Sequence, residues 1–137
     1  MSKTKTVRIR AIYADTDAMG IVYHTNYIRW FEIGRNELFR DIGIPYTEVE
    51  AAGFCLPLTQ VYCHYLRPTK YDDLVELETD IAYLRRASIK FSYLVRLTDQ
   101  PLPVVTGYSV HACTDRNGQI VRIPTMVTDR IQNYYSH

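Results

Sequence analysis

The densest group of chemically capable side chains lies between residues 13 and 27. It contains the carboxylates of Asp15 and Asp17, Gly20 and the imidazole of His24, and it stands between a predicted strand and the predicted start of a helix. A helix start offers unpaired backbone N–H groups and a partial positive charge of roughly half a unit. Such donors can hold a developing oxyanion, which is worth ~10²–10³ in rate. A carboxylate nearby can then act as a nucleophile or activate water.

An Asp-x-Asp pair also occurs in other kinds of site. An EF-hand loop would match both aspartates and a glycine at its sixth position, but Met19 and Asn26 stand where that loop needs an oxygen ligand and a bidentate glutamate. A phosphotransferase pair would normally follow a buried parallel strand in a larger α/β chain. In the purely structural interpretation both aspartates bond turn amides, and Asp15 in particular fits this interpretation.

A strand and a helix are predicted on either side of this segment. Residues 6–13 alternate between apolar and polar side chains, which predicts a half-buried strand. From Thr25 to about Arg40, apolar residues recur every three or four positions, which predicts a helix with one buried face. That face comprises Tyr27, Trp30, Phe31, Gly34 and Leu38.

The ends of this helix and its glycine carry further predictions. Thr25 or Asn26 can cap the start, and Gly43 followed by Pro45 ends the helix. Gly34 costs ~1 kcal/mol of helix propensity relative to alanine. Its place on the apolar face therefore predicts a close approach between the helix and a sheet.

The remainder of the chain is predicted to form antiparallel strands. Their predicted bounds are 57–67, 75–83, 89–97, 102–113 and Gln119 to Ile123, the last following a hairpin turn at Asp115-Arg116-Asn117-Gly118. The end of the chain is predicted to be a short helix or a frayed tail. One helix cannot cover both faces of such a sheet, so we expect the sheet to wrap around the helix and the chain to self-associate.

Length and composition favour one soluble globular domain spanning 1–137. The chain has 137 residues, 47% hydrophobic and 23% charged, with a formal net charge of +1, which argues against a nucleic-acid-binding protein. The first residues contain no apolar core of a signal peptide, and no apolar run approaches the ~18 residues that span a membrane. Cys55, Cys63 and Cys113 form no metal-binding pattern. A cytoplasmic protein without a metal or cofactor is expected.

The segment Asp15-Thr-Asp17-Ala-Met-Gly20-Ile-Val-Tyr23-His24-Thr-Asn26-Tyr27, followed by Trp30, Phe31 and Arg35, closely resembles the hotdog-fold acyl-CoA thioesterases of the 4-hydroxybenzoyl-CoA thioesterase and YbgC-like family. Residues 65–73 and 85–88 also look like segments of that family. The resemblance implies an α+β hotdog fold, in which a curved antiparallel sheet wraps around one long helix. It also implies homodimers with a continuous sheet, and homotetramers.

The resemblance also implies roles for particular residues. Asp17 matches the family's catalytic carboxylate, and the backbone N–H that polarises the thioester carbonyl falls on His24. Tyr13 and the His24 side chain match flanking residues that position water or protonate the leaving group; the alternative for His24 is that only its backbone acts. The matches to the CoA-binding turn are Arg85, Arg86 and Ser88, whose guanidinium groups suit phosphates.

The acyl group and the carrier are left open by the sequence. Tyr27 and Thr59, with the neighbouring segment 56–58, are expected to contact a short aliphatic or an aromatic acyl group, carried by CoA or by acyl-carrier protein. His64 and His111 are interpreted as strand residues with local partners. A dehydratase acting on hydroxyacyl thioesters and a non-catalytic acyl-CoA-binding or protein-binding module are the competing hypotheses. No Gly-x-Ser-x-Gly elbow of a serine hydrolase is present.

Overall fold

The computed structural model describes residues 4–136 and contains a sheet curved around one long helix. The strands are β1 Lys5–Arg10, β2 Phe54–Cys55, β3 Leu58–Tyr65, β4 Leu74–Leu84, β5 Ser88–Leu97, β6 Pro103–Ala112 and β7 Thr114–Asp115. The helices are α1 Asn26–Ile42, α2 Tyr46–Ala51 and α3 Thr125–Ser136. Five strands form one antiparallel sheet in the order β1-β4-β5-β6-β3, and β2 pairs with β7. The predicted α+β hotdog architecture is confirmed.

The core lies between α1 and the concave face of the sheet. All five residues of the predicted apolar helix face are buried. Gly34 approaches β4 so closely that a Cβ built on it would lie 2.3 Å from Thr79 Oγ1 and 2.7 Å from Leu77 Cδ2. The predicted close contact between helix and sheet is therefore confirmed, and it explains why a glycine stands in the middle of the helix.

The two ends of α1 differ in how well they were predicted. Gly43 adopts the left-handed conformation (φ 95°), and its N–H bonds the carbonyls of Phe39 and Arg40, as the glycine stop signal requires. At the start, Thr25 holds the N-cap position, but its side chain makes no capping hydrogen bond. The Asn26 side chain is also not a cap, because it bonds the carbonyl of Asp15.

The C-terminal quarter contains the main error of the predicted elements. The turn at Asp115 to Gly118 forms, but the predicted strand Gln119 to Ile123 is reduced to an isolated bridge between Ile120 and Thr114, flanked by backbone hydrogen bonds from Asp115 to Gln119 and from Val121 to Cys113. The chain instead runs toward the β4–β5 turn, where the Ile123 N–H bonds the Arg86 carbonyl at 2.8 Å. It then forms the twelve-residue helix α3, which is longer than the predicted short helix or tail.

Candidate active site

Asp17 lies at the tip of a tight hairpin that leads into α1. The Tyr23 N–H bonds the Asp15 carbonyl and the Asp17 N–H bonds the Ile21 carbonyl, both at 2.8 Å. Gly20 closes the turn with φ 75° and donates its N–H to the Asp17 carbonyl at 3.0 Å. A positive φ is a conformation that glycine adopts without strain.

The Asp17 carboxylate is exposed to solvent, and one of its two oxygens accepts hydrogen bonds from the turn. Its Oδ1 atom accepts the N–H groups of Met19 at 2.8 Å and Ile21 at 3.3 Å. Within residues 4–136, nothing hydrogen-bonds its Oδ2 atom. One oxygen therefore fixes the side chain, and the other is available to an incoming molecule.

Asp15 has the structural role that its sequence context allowed. Its side chain is buried, accepts the Ile12 N–H at 3.0 Å and pairs with the Arg29 guanidinium on α1. Its carbonyl accepts the side-chain amide of Asn26 at 2.7 Å. These contacts join the hairpin to the first turns of α1. Asp15 therefore fixes the position of the hairpin that carries Asp17.

The start of α1 presents free backbone donors beside this hairpin. Among the described residues, nothing accepts the N–H groups of His24 and Thr25. The His24 carbonyl accepts the Tyr65 hydroxyl at 3.1 Å, and burial raises the pKa of Tyr65 to about 12, so the hydroxyl keeps its proton at neutral pH. The His24 ring is exposed and lies against Tyr23, with 4.3 Å between ring centroids. A cleft of about 300 Å³ lined by His24, Tyr65 and Tyr27 opens here.

The two other tyrosines predicted for the site lie in different surroundings. Tyr13 is exposed and stacks on Tyr71 at 3.9 Å between centroids, and the Tyr71 N–H bonds the Gly20 carbonyl, which places this pair beside the hairpin tip. Tyr27 is buried and donates its hydroxyl to Thr69 Oγ1 at 3.0 Å. Burial also raises the pKa of Tyr27. Its ring therefore belongs to the core and to the wall of the cleft, and its hydroxyl is already hydrogen-bonded to Thr69.

A second turn in the chain repeats the hydrogen bonds of the Asp17 hairpin. Asp115 Oδ1 accepts the N–H groups two and four residues later at 2.9 and 3.0 Å, and its carbonyl accepts the Gly118 N–H. Both turns have the sequence Asp-x-x-Gly. The local geometry of Asp17 is therefore not unusual. What distinguishes it from Asp115 is the helix start at the base of its hairpin.

The predicted CoA-binding residues lie at the far end of the subunit. Arg85 and Ser88 close the β4–β5 turn through a backbone hydrogen bond of 2.9 Å, and the exposed Arg85 guanidinium covers the Tyr83 ring at 3.9 Å. Arg86 is exposed beside it. Since β4 has eleven residues, this turn is roughly 35 Å from the segment that contacts the Asp17 hairpin. One subunit thus does not bring the arginines together with Asp17.

A larger cavity of about 600 Å³ runs along α1. Leu56 and Leu58 line it, whereas Thr59 lies outside its lining and donates its hydroxyl to the Val110 carbonyl. His111, at its inner end, has the predicted local partners: Nδ1 lies 2.9 Å from the Leu56 carbonyl and Nε2 2.9 Å from Ser109 Oγ.

The two strand histidines differ in burial and in their contacts. Burial and then the charge of Arg35 lower the pKa of His111 to about 4, so it is neutral at physiological pH. His64 is exposed on β3 and has no partner among the described residues, contrary to the prediction. In the described part of the chain, no group of three His, Cys, Asp or Glu side chains is placed to hold a metal.

The sheet that curves around one long helix is the hotdog fold, and the comparisons with known proteins assign the chain to the thioesterases of that fold. The model of the thioesterase-like superfamily matches residues 13–131, and the chain belongs to that family. An acyl-CoA thioesterase, YbgC of Haemophilus influenzae, is 32% identical over 108 residues, 78% of each chain.

Solved structures support the same assignment. The crystal structure of a hypothetical protein from Aquifex aeolicus shares 36% identity with a TM-score of 0.87, covering 93% of this chain and 98% of that one. A DHNA-CoA thioesterase from Staphylococcus aureus shares 26% identity with a TM-score of 0.88, covering 96% and 88%. The resemblance found in the sequence is confirmed, and the protein is a thioester hydrolase. None of the helices in residues 4–136 is long and apolar enough to cross a membrane.

Proposed function

We propose that this protein hydrolyses acyl-CoA thioesters, with Asp17 as its catalytic carboxylate. One observation carries the proposal: a carboxylate stands on a fixed turn whose base is bonded to the start of α1, and within residues 4–136 one of its oxygens and two backbone N–H groups at the helix start have no partner. Asp17 lies two residues, roughly 7 Å, further along the hairpin than Asp15. That spacing leaves room for a thioester carbonyl and a water molecule between the carboxylate and the helix start.

In the first version of the mechanism, Asp17 acts as a general base. The thioester oxygen accepts the His24 N–H, which stabilises the negative charge that develops on this oxygen. Asp17 removes a proton from water, and the water oxygen attacks the carbonyl carbon. Collapse of the tetrahedral intermediate breaks the C–S bond, and the CoA thiolate takes up the proton held by Asp17.

In the second version, Asp17 attacks the carbonyl carbon itself. The C–S bond then breaks to give an Asp17–acyl anhydride and CoA thiolate, and water hydrolyses the anhydride. The exposed His24 ring and the Tyr13 hydroxyl are proposed to orient the water in either version and, in the second, to protonate the thiolate. Both versions need the same donor at the helix start.

The positions of the arginines lead us to propose a site shared between two subunits. Since Asp17 and the β4–β5 turn lie at opposite ends of β4, one CoA molecule cannot contact both within a subunit. Antiparallel pairing of β3 with β3 of a second copy would set the Tyr65 end of one strand beside the Leu58 end of the other. The partner's β4–β5 turn would then stand three or four strand widths, roughly 14–19 Å, from the end of β3 that contacts the first subunit's helix start. Arg85, Arg86 and Ser88 would hold the CoA phosphates of the neighbouring site.

The surface of β3 supports this assembly as a homodimer. β3 is an edge strand of eight residues in which Leu58, Val61, Tyr62 and Tyr65 are exposed. Such an edge has unpaired N–H and C=O groups ready to pair with another strand. A homotetramer that buries the outer face of the sheet remains part of the proposal.

Thiol release separates this function from its two competitors. Wild-type protein is incubated with a panel of short aliphatic and aromatic acyl-CoAs and the matching acyl-carrier-protein thioesters, and free thiol is followed with a chromogenic disulfide. We expect free thiol from at least one acyl-CoA. A change in crotonyl or hydroxyacyl absorbance without thiol would identify a dehydratase instead. Saturable binding of acyl-CoA with no reaction would identify a binding module.

A further inference from the structure

The 600 Å³ cavity reaches the start of α1, one residue beyond the His24 N–H. Thr25 lines it there, and Ile28, Glu32, Arg35 and Phe39 line it along the helix. An acyl group whose carbonyl sits on the helix start could therefore extend into this cavity. This step rests on the proposed function.

A directed chain of hydrogen bonds holds Arg35 at the inner part of the cavity. The Leu56 carbonyl can only accept, so His111 Nδ1 carries the proton and Nε2 accepts the Ser109 hydroxyl. Ser109 Oγ in turn accepts the Tyr93 hydroxyl at 2.6 Å. Tyr93 then accepts a guanidinium N–H of Arg35 at 3.1 Å. His111, Ser109 and Tyr93 each donate to one acceptor, and the chain presents the Tyr93 oxygen to one N–H of Arg35, which anchors that end of the guanidinium.

The Arg35 charge has no counter-ion in the described residues. No carboxylate of residues 4–136 lies within 4 Å of its guanidinium, and its one hydrogen bond uses one of five N–H donors. Arg29, the other arginine of the cavity, is paired with Asp15. Glu32 lies one turn closer to the helix start and forms no ion pair with any residue of the described range. A half-buried guanidinium that is held by one hydrogen bond and has no carboxylate partner there is complementary to a carboxylate.

We infer that Arg35 recognises a carboxylate at the far end of the acyl group, so that the preferred substrates are thioesters of dicarboxylic acids. From Thr25 to Arg35 the helix rises roughly 15 Å. The arginine side chain leans toward the helix N-terminus, which shortens the gap to roughly 10 Å. An acyl chain of about six carbons with a terminal carboxylate spans that distance. The apolar walls contact its methylene groups.

A matched pair of substrates tests the inference on the intact protein. Adipoyl-CoA and heptanoyl-CoA have acyl chains of nearly equal length, and only the first ends in a carboxylate. Only adipoyl-CoA can form a charge-assisted hydrogen bond with Arg35. We therefore expect kcat/KM to favour adipoyl-CoA by about 10–100-fold in the wild type. Arg35→Met should bring this ratio to within about threefold of one, and Arg35→Lys, which keeps the charge without the fork, should give an intermediate ratio. Arg40→Met, which removes an arginine outside the cavity lining, should leave the ratio unchanged.

Glu32→Gln should change the preference for adipoyl-CoA in the direction opposite to Arg35→Met. It removes a negative charge near the path of the acyl carboxylate, so the preference for adipoyl-CoA should rise. Circular dichroism and the melting temperature of each variant establish that it is folded, and a misfolded Arg35→Met is replaced in the comparison by Arg35→Lys.

Several results would overturn the inference while leaving thioester hydrolysis intact. One is an equal kcat/KM of the wild type for adipoyl-CoA and heptanoyl-CoA. Another is a preference for 4-hydroxybenzoyl-CoA over benzoyl-CoA without any preference for adipoyl-CoA, which would assign the cavity to a hydroxyl group. A third is a weakened dimer with equal losses on both esters in Arg35→Met, which would mean that a second copy supplies the counter-ion. Absence of thiol from every ester would instead overturn the proposed function itself.

Discussion

Two differently damaged subunits should restore each other if the active site is shared across the dimer. The first carries Asp17→Asn, and the second carries Arg85→Ala together with Arg86→Ala. Each homodimer lacks one half of both its sites. A mixed dimer contains one site with an intact carboxylate and intact arginines, and one site that lacks both.

The size of the recovery follows from the subunit arrangement. Random assortment of equal amounts makes about half of the dimers mixed, and each mixed dimer holds one intact site of two, so activity should reach about a quarter of the wild-type value. Each lost guanidinium–phosphate contact costs about tenfold or more, so the double arginine variant alone should fall about 100-fold in kcat/KM.

The assay uses subunits with different affinity tags, refolded together and measured by thiol release at substrate concentrations below KM. The same variants, refolded separately and then combined without exchange, are the control. Recovery no greater than the sum of the two separate variants, in a sample shown to contain mixed dimers, would refute the shared site. It would mean that Arg85 and Arg86 do not serve the site of the other subunit.

Three further predictions concern stability. Gly34→Ala must shift α1, or the buried side chains of Thr79 and Leu77, by about 1 Å to relieve these contacts. Overpacking of about 1–3 kcal/mol outweighs the ~1 kcal/mol gain in helix propensity, so the melting temperature should fall, and an unchanged value would contradict the packing. Asp15→Asn should lower the free energy of unfolding by about 1–3 kcal/mol in urea titrations, because it breaks a buried charged contact; a loss of activity without destabilisation would give Asp15 a chemical role. Because the pKa of His111 falls to about 4 on folding, the unfolded chain binds more protons between pH 4 and 6.5, so stability should decrease as pH falls through that window. His111→Asn should flatten this dependence, and an unchanged slope would assign it to another group.

The helix and most of the sheet could be predicted because their patterns are local. The three- and four-residue spacing of apolar residues in α1 and the alternation in β4 and β5 each reflect burial on one face, which the structure shows. The extent of α3 was not predictable in this way. It buries only Val127 and Ile131, and it is anchored by the Tyr135 hydroxyl, which bonds Asp80 at 2.6 Å on a distant strand.

The prediction of a return strand at Gln119 to Ile123 was wrong for a related reason. Asp115 to Gly118 has the composition of a hairpin turn and forms one, but turn chemistry alone does not decide whether the following residues find a strand to pair with. Here the pairing stops after Val121, whose N–H bonds the Cys113 carbonyl, and the Ile123 N–H bonds the carbonyl of Arg86 on the β4–β5 turn. The hairpin therefore ends after a few residues, where the chain meets the β4–β5 turn.

In the candidate active site, too, local features could be predicted from the sequence and long-range contacts could not. Asp-x-x-Gly at Asp17 and at Asp115 gives equivalent hydrogen bonds, so neither spacing nor composition separates a catalytic turn from a structural one. The resemblance to thioesterases selected Asp17. Long-range contacts with no local pattern, such as Arg35 to Tyr93 over 58 positions, were beyond sequence reasoning.

The repeated turn provides the most direct test of the role of Asp17. Asn keeps the side-chain oxygen that accepts the turn amides, so Asp17→Asn and Asp115→Asn should both preserve the melting temperature. We predict that thiol release from the best acyl-CoA falls by about 10²–10⁴-fold in Asp17→Asn and is unchanged in Asp115→Asn. Wild-type turnover by folded Asp17→Asn, or equal losses in both variants, would contradict the assignment of Asp17 as the catalytic carboxylate.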